Sequence, residues 1–408
     1  MSDYYDDLET RSEDEREAWI AEALPKLVAH AREKAPAMAA LLAEVEPGDI
    51  RTRADLARLP VIRKSELVRA QGLNPPFGGF AARPVSEFEH VFQSPGPIYE
   101  PGRTSRDWWR MGRFLHALGV GGDDIVQNCF SYHLVPAGMI FENGARAVGA
   151  TVVPAGTGQT ELQARAAADI GVTTYAGTPD YLKVILEKGD ELGLDLSGLC
   201  RAAVGGGALF PSLREYYADR GITCLQCYAT ADLGNIAYES PAMEGMIVDE
   251  GVLVEIVRPG TGDPVPEGEV GEVVVTTFNP DYPLIRFATG DLSAVLPGQS
   301  PCGRTNMRIR GWLGRADQTT KVKGMFVRPE QVAELVARHP EVARARVVVT
   351  RKGEQDHMRV RLETEATDPA PYAQSVREIL KLRGEVELCP IGSLPNDGLV
   401  IEDLRSYD

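Results

Sequence analysis

Two glycine-rich turns and one aspartate have the residue types that nucleotide chemistry requires. Gly205-Gly206-Gly207-Ala208 follows an apolar run that ends at Val204, and backbone without Cβ atoms lets a planar ring or a phosphate approach closely. Gly156-Thr157-Gly158-Gln159 follows another apolar run and can present N–H groups to an anion. Asp291 comes directly after Thr289-Gly290, where a carboxylate can accept hydrogen bonds from two ribose hydroxyls. Each segment also fits an ordinary turn, so none of them decides the function alone.

Several other catalytic patterns do not occur in the sequence. It contains no Gly-Lys-Ser/Thr phosphate loop, no Gly-x-Ser-x-Gly elbow and no His-Glu-x-x-His helix. Cys224 and Cys227 have the spacing of a redox pair, but they fall in an apparent strand, which favours buried structural thiols. Cys302 alone does not make a metal site. His133 lies near a strand end, where a structural hydrogen bond is the alternative to a functional role.

Composition excludes whole classes of partner. The chain has 408 residues, with 43 Lys and Arg against 59 Asp and Glu, which gives a formal net charge of −16. A nucleic-acid coat or an anionic-membrane binder carries the opposite field. The acidic N-terminus lacks the pattern of a signal peptide, and no apolar run approaches the roughly 20 residues that span a bilayer. We therefore expect a reduced, soluble, cytoplasmic protein that binds neither nucleic acid nor membrane.

The elements that must position these residues change in type along the chain. An N-terminal helix is predicted from residue 15, with Pro25 and Pro36 expected to break or restart it. From residue 119, strand-like runs alternate with helical segments, which predicts a largely parallel sheet. The strand-like runs are 124–128, 150–154, 173–176, 202–204 and 223–228. After residue 239 the pattern predicts an antiparallel, barrel-like section, and from about residue 314 a small α+β unit.

The order of these weak signals is that of a known family. The chain resembles the phenylacetate–CoA ligase family of AMP-forming, adenylate-forming enzymes from about residue 49 to 405. The segments that carry the resemblance are Asp55-Leu56-Ala57-Arg58-Leu59-Pro60, residues 156–163, Tyr228-Ala229-Thr230-Ala231-Asp232, residues 286–292, Gly314-Arg315-Ala316-Asp317 and Lys321-Val322-Lys323-Gly324. The resemblance implies an α/β fold. Its large N-terminal domain, residues 1–314, has mostly parallel α/β sheets and a barrel-like β-section, and its small mobile α+β domain, residues 315–408, is hinged near Asp317.

The resemblance also implies a reaction in two steps. A carboxylate attacks the α-phosphate of ATP and releases pyrophosphate, and the thiolate of coenzyme A then displaces AMP from the acyl-adenylate. The site must neutralise phosphate charge, align the attack and exclude water. The implied cofactors are ATP or AMP, Mg²⁺ and coenzyme A.

Site residues follow from the resemblance, position by position. Gly206, Gly207 and Ala208 line the adenine pocket, Tyr228 stacks on adenine beside Ala229, and Thr230 lies near the α-phosphate. Asp232 holds Mg²⁺ directly or through water, Asp291 binds the ribose hydroxyls, and Arg315 assists at the ribose or phosphate. Asp317 is the hinge, Gly324 lies along the pantetheine tunnel, and Tyr132, His133 and Phe141 border the acyl pocket. Lys323 or Lys321 is the candidate substitute for the C-terminal lysine of the family, whose position here is Leu399.

Three segments depart from the family pattern. In the loop at residues 93–102, Ser94 and Gly96 remain, but prolines replace N–H donors and Glu100 adds negative charge, which predicts weak triphosphate binding. Leu399 stands where the family has the lysine that neutralises charge during adenylation. The positions of a Cys/His metal site in some members read Ser240, Met246 and Ser300, so we predict no structural zinc.

The sequence therefore predicts an acid–thiol ligase that activates a carboxylic acid, aromatic by the family name, and transfers it to coenzyme A. One alternative is a degenerate relative that binds AMP, an acyl-adenylate or an acyl-CoA with little or no adenylation. Another is an adenylate or thioester enzyme that works in only one direction or on a pre-activated acid. A homodimer is compatible with a chain of this size, and no sequence feature decides it.

Overall fold

The computed structural model describes residues 3–105, 107–316, 318–322, 325–352 and 355–405. The helices are α1 Glu13–Lys34, α2 Pro36–Leu41, α3 Arg53–Leu56, α4 Lys64–Leu73, α5 Gly112–Ala117, α6 Ala137–Ala147, α7 Thr160–Ile170, α8 Pro179–Leu192, α9 Pro211–Asp219, α10 Pro329–Arg338 and α11 Ala370–Leu380. Short 3₁₀ turns lie at Asp7–Thr10, Pro47–Asp49 and Val85–Glu87. None of the described helices is both long enough and apolar enough to cross a membrane.

The strands are β1 Ile62–Arg63, β2 His90–Ser94, β3 Ile98–Gly102, β4 Ile125–Asn128, β5 Thr151–Val153, β6 Thr174–Gly177, β7 Arg201–Val204, β8 Thr223–Thr230, β9 Gly234–Tyr238, β10 Met246–Val248, β11 Val252–Val257, β12 Gly271–Thr277, β13 Phe287–Ser293, β14 Val295–Leu296, β15 Arg308–Ile309, β16 Gly314–Arg315, β17 Thr320–Val322, β18 Met325–Val327, β19 Arg344–Lys352, β20 Gln355–Glu363, β21 Glu385–Cys389 and β22 Ile401–Asp403.

The largest sheet has nine strands in the order β14-β15-β10-β9-β8-β7-β6-β4-β5. The pairs β5–β4, β4–β6, β6–β7 and β7–β8 are parallel, and the sheet becomes antiparallel from β8 to β9. The parallel half is the alternating section predicted from residue 119. Because the carboxyl ends of parallel strands meet at one edge, the residues that follow β4, β7 and β8 come together there.

A second sheet has the strand path β1-β13-β12-β11, with β16 paired to β13. This is the section predicted to be barrel-like. The path is open, so the described strands form no closed barrel. A four-stranded sheet, β21-β20-β19-β22, carries α10 and α11 in the C-terminal part. The hairpins β2–β3 and β17–β18 complete the strands.

The chain divides into two compact units. The first comprises residues 1–254, 275–287 and 296–311, and the second comprises 255–274, 288–295 and 312–408. Each has its own apolar core. In the first unit Phe114, Ile140 and Leu225 belong to one core cluster, and in the second Val347, Val360 and Val376 belong to another.

Helix α1 differs from the prediction at Pro25. It begins with a capping box between Ser12 and Glu15 and continues through Pro25 to Lys34. Leu24 and Val28, on either side of the proline, are fully buried. Packing of this face therefore outweighs the hydrogen bond that the proline removes. The helix ends before Pro36, which begins α2 as expected.

Candidate active site

An apolar cavity opens in the first unit at the carboxyl edge of the parallel strands. Its volume is about 170 Å³. It is lined by Ser94, Pro95, Phe130, Val135, Pro136, Ala137, Ile140, Phe141, Gly205, Gly206, Cys227, Ala229, Thr230 and Ala231. The rings of Phe130 and Phe141 stack with centroids 4.3 Å apart and form one wall. The cavity therefore offers hydrocarbon and aromatic surface directly beside the glycine turn after β7.

The glycine turn needs its glycines. A Cβ at Gly205 would lie 3.0 Å from the Sγ of Cys227, and Gly206 has a φ of +69°. Gly206, Gly207 and Ala208 are exposed, so their backbone is accessible. The Nε2 of Gln226 donates to the Gly207 carbonyl at 2.9 Å and ties the turn to β8. The three predicted adenine-pocket residues thus form one accessible strip of backbone.

Strand β8 carries the next group of predicted residues. Its pairing with β9 shifts register between Tyr228 and Ala229, a bulge that re-aims the residues after it. Ala229 and Thr230 line the cavity, whereas Tyr228 is buried and is not among the described lining residues. The Leu233 N–H donates to the Thr230 Oγ1 at 3.2 Å, which closes the turn that holds Asp232.

Of the three predicted acyl-pocket residues, Phe141 alone is among the described residues that line this cavity. Tyr132 is half-buried, and its hydroxyl accepts a hydrogen bond from the Asn128 Nδ2 at 2.8 Å. Burial raises the pKa of Tyr132 above its usual range. His133 is exposed to solvent. The aromatic wall is completed by Phe130.

The Asp232 carboxylate points away from solvent. Its side chain is 0% exposed, and the Lys64 Nζ lies 3.0 Å from its Oδ2. Lys64 is the first residue of α4, and Gln71 on the same helix bonds both the N–H and the carbonyl of Tyr99 at 2.8 Å. These two bonds fix α4 against the β2–β3 hairpin, so the helix start is held near the Asp232 turn. Sequence analysis missed Lys64, which lies 168 residues from its partner.

A second buried carboxylate, Glu100, lies next to this pair. It is 1% exposed and accepts a hydrogen bond from the Ser94 hydroxyl. Burial, and next the charge of Asp232, raise the pKa of Glu100 to about 8. The predicted phosphate loop is therefore a β-hairpin whose serine hydroxyl is engaged by a carboxyl that is mostly protonated at neutral pH.

In the second unit, Asp291 and Arg315 are brought together. They pair directly across β13 and β16, and the Arg315 Nη1 donates to the Asp291 Oδ1 at 2.8 Å. The Trp312 Nε1 donates to the same oxygen at 3.1 Å. Gly290 has a φ of +75°, and a Cβ there would lie 2.8 Å from the Arg315 Nη2. Trp312 was not predicted, although it lies two residues before the Gly314-Arg315 motif.

The loop with Leu399 also lies in the second unit. Leu399 packs against Val270, Leu292, Ala294 and Ala316, which form a small apolar cluster. Gly398 before it has a φ of +72°, and a Cβ there would meet the Val270 Cγ1 at 2.7 Å. The position expected to carry a charge in this family pattern is therefore filled by a packed aliphatic side chain.

Side-chain amides fix the same loop. The Gln318 Oε1 accepts from the N–H groups of Val400 and Ile401 at 2.6 and 2.9 Å, and its Nε2 donates to the Gly398 carbonyl at 3.0 Å. The Asn396 Oδ1 accepts from the Val270 N–H at 3.0 Å. Gln318 therefore fixes the loop at residues 398–401, and Asn396 fixes its start against Val270.

Comparison with known proteins identifies the family of the chain. Residues 105–279 match the family model described as AMP-binding enzyme. The phenylacetate–coenzyme A ligase of Escherichia coli strain K12 is 32% identical over 381 residues, 88% of this chain and 84% of that protein. The enzyme of the same name from Thermus thermophilus is 31% identical over 378 residues, again 88% and 84%. The chain belongs to the phenylacetate–CoA ligase family. The resemblance inferred from the motifs is confirmed.

The fold of this family member is also that of a solved structure. An open conformation of 2-hydroxyisobutyryl-CoA ligase superposes with a TM-score of 0.73 at 24% identity, and the match covers 97% of this chain and 92% of that one. The predicted α/β fold class is confirmed, with the open sheet in place of a closed barrel.

Three predicted positions, Asp317, Lys323 and Gly324, lie outside the described residues. At the positions compared with a Cys/His metal site, the Ser300 hydroxyl donates to the Cys302 Sγ at 3.1 Å. Across the described residues, no three or more His, Cys, Asp or Glu side chains are grouped so that they could hold a metal ion. Asp232, the predicted Mg²⁺ ligand, does not fit a hydrated cation, because its carboxylate is enclosed and already faces an ammonium group.

Proposed function

We propose that this chain is an AMP-forming acid–coenzyme A ligase whose acid is aromatic. The observation that carries the proposal is the apolar cavity of about 170 Å³ that adjoins the exposed backbone strip at Gly206-Gly207-Ala208. The relatives named phenylacetate–coenzyme A ligase support the ligase class. The stacked rings of Phe130 and Phe141 support an aromatic acid, because aromatic pairs gain energy beyond their buried area.

In the first half-reaction an oxygen of the acid forms a bond to the α-phosphorus of ATP, and the bond to pyrophosphate breaks. The glycine strip would admit adenine, and Thr230 at the cavity wall would donate to the α-phosphate. In the second half-reaction the thiolate of coenzyme A bonds to the acyl carbon, and AMP leaves. The Asp291 carboxylate, oriented by Arg315 and Trp312, would accept hydrogen bonds from the ribose.

The test is ATP–pyrophosphate exchange by the purified full chain with Mg²⁺, across aromatic, branched and short aliphatic acids. We expect exchange that depends on an aromatic acid. Exchange with short aliphatic acids only would reject the aromatic assignment. Absence of exchange from folded protein with every acid would reject adenylation.

A second candidate function is binding of AMP, an acyl-adenylate or an acyl-CoA with little adenylation. The observation that favours it is the packing of Leu399 in an apolar cluster. Loss of one charge-stabilising group typically lowers a rate on the order of 10²–10³-fold. Calorimetry with AMP and a nonhydrolysable acyl-adenylate analogue distinguishes the candidates, because tight binding without exchange supports the second.

A further inference from the structure

The Asp232 carboxylate lacks the partners that a buried carboxylate needs. Neither oxygen accepts a hydrogen bond of good geometry from the described residues, and no part of the side chain is exposed. An isolated buried carboxylate is strongly disfavoured, so a counterion must stabilise it. The Lys64 Nζ, 3.0 Å from Oδ2, meets this need.

The neighbouring Glu100 carboxyl does not compete for that ammonium group. Its Oε1 accepts from the Ser94 hydroxyl, and its Oε2 has no partner among the described residues. The partner of Glu100 is therefore the Ser94 hydroxyl, and the Lys64 ammonium remains opposite Asp232.

A magnesium ion has different requirements. Mg²⁺ needs near-octahedral oxygen coordination and retains several waters. The enclosed Asp232 side chain leaves no exposed oxygen for them, and the ammonium group within 3.0 Å would repel a dication.

We propose that the Lys64 ammonium is the resident cation at Asp232 in this chain and that Asp232 is not a magnesium ligand. The pairing of Lys64 with Asp232 follows from the structure alone. Its consequence for catalysis rests on the proposed ligase function. Lys64 becomes a positioning residue: it holds Asp232, and through it the turn that places Thr230 and Ala231 at the cavity wall. Any Mg²⁺ that accompanies ATP would then take ligands other than the Asp232 carboxylate.

The experiment measures binding of Mn²⁺ alone to the full chain by electron paramagnetic resonance, since Mn²⁺ accepts the same oxygen ligands as Mg²⁺. The parent and Asp232→Asn should bind Mn²⁺ with affinities within about twofold of each other. A loss of tenfold or more in Asp232→Asn would overturn the proposal. No turnover is involved, so failure here is distinguishable from failure of the ligase assignment.

Matched lysine variants test the counterion role directly. Lys183 pairs at the surface with Glu187 at 3.7 Å and supplies the control. We expect Lys64→Met to lower the Tm and Lys183→Met to leave it unchanged. We also expect Mn²⁺ to bind Lys64→Met with an affinity within about twofold of the parent, because the Asp232 oxygens stay enclosed. Equal Tm values for the two lysine variants would overturn the proposal.

Lys64→Arg keeps the experiment decisive if Lys64→Met does not fold. It retains the positive charge, so it should fold and bind Mn²⁺ no more tightly than the parent. Tenfold tighter Mn²⁺ binding by Lys64→Arg would contradict the proposal.

Discussion

The surroundings of Asp232 and of Leu399 show two different ways to remove charge from a site. At Asp232 the charged groups remain, but the carboxylate is buried and is paired with the partly exposed Lys64 ammonium group. At Leu399 the charged group is replaced by hydrocarbon that packs on Val270 and Leu292. The first arrangement is electrostatic and responds to pH and to single charge changes. The second is apolar and responds to shape. Variants near Asp232 should therefore change stability through charge and pH, and variants near Leu399 should change it through packing.

The largest expected effect is on the pH dependence of stability through Glu100. Its folded pKa of about 8 exceeds the ordinary value of 4.5, so the unfolded chain releases its proton first as the pH rises. The stability linked to Glu100 is then fully present below about pH 4.5 and falls by about 1.4 kcal/mol per pH unit up to about pH 8, in total on the order of 5 kcal/mol. Glu100→Gln should remove this slope in urea unfolding.

Glu215→Gln, at an exposed glutamate of the same unit, is the control and should keep the slope. A parent slope that persists in Glu100→Gln would show that other groups dominate the pH response.

The next effect is the loss of the counterion. Lys64→Met leaves the enclosed Asp232 without its counterion. It should lower the free energy of unfolding by about 3 kcal/mol, the low end for a broken buried pair because the lysine is partly solvated. Urea unfolding at pH 7 measures it. Recovery of most of the loss in Lys64→Met with Asp232→Asn would demonstrate the pairing, whereas additive losses would refute it.

A change of shape in the apolar region should have a smaller effect. Gly398→Ala introduces a Cβ 2.7 Å from the Val270 Cγ1 at a positive φ, which should destabilise the second unit by about 2 kcal/mol. Gly392→Ala, at a positive φ with no atom near its Cβ, isolates the backbone contribution. Thermal unfolding compares the two, and an equal loss would mean that the contact with Val270 is unimportant.

The smallest change in stability is expected from Leu399→Lys. It removes a partly buried side chain from the cluster and should lower stability by about 1 kcal/mol. If this position limits adenylation, ATP–pyrophosphate exchange should rise on the order of 10²-fold. Leu399→Met, which stays apolar, controls for the altered packing. Unchanged exchange in a folded Leu399→Lys variant would place the limit elsewhere.

Local sequence patterns predicted the parallel sheet well. Strand-like runs at 124–128 and 223–228 correspond to strands Ile125–Asn128 and Thr223–Thr230, because alternation with helices leaves few topologies open. Pro25 misled the prediction, since tertiary packing outweighed a local rule. At the site, Asp291 and Arg315 could be named from motifs. The Lys64–Asp232 pair could not, because only the folded chain brings together residues so far apart.

The packing of Leu399 has a consequence for temperature. If the chain turns at the predicted hinge before Gln318, the Gln318 amide moves with the Leu399 loop. The contacts that must then separate are those of Leu399 with Val270 and Leu292 and the hydrogen bond from the Val270 N–H to the Asn396 Oδ1. Hydrophobic contacts of this kind weaken on cooling. Cooling would then weaken the apolar part of this contact and leave the hydrogen bond to Asn396 in place, so the temperature dependence of the reorientation step would combine both contributions.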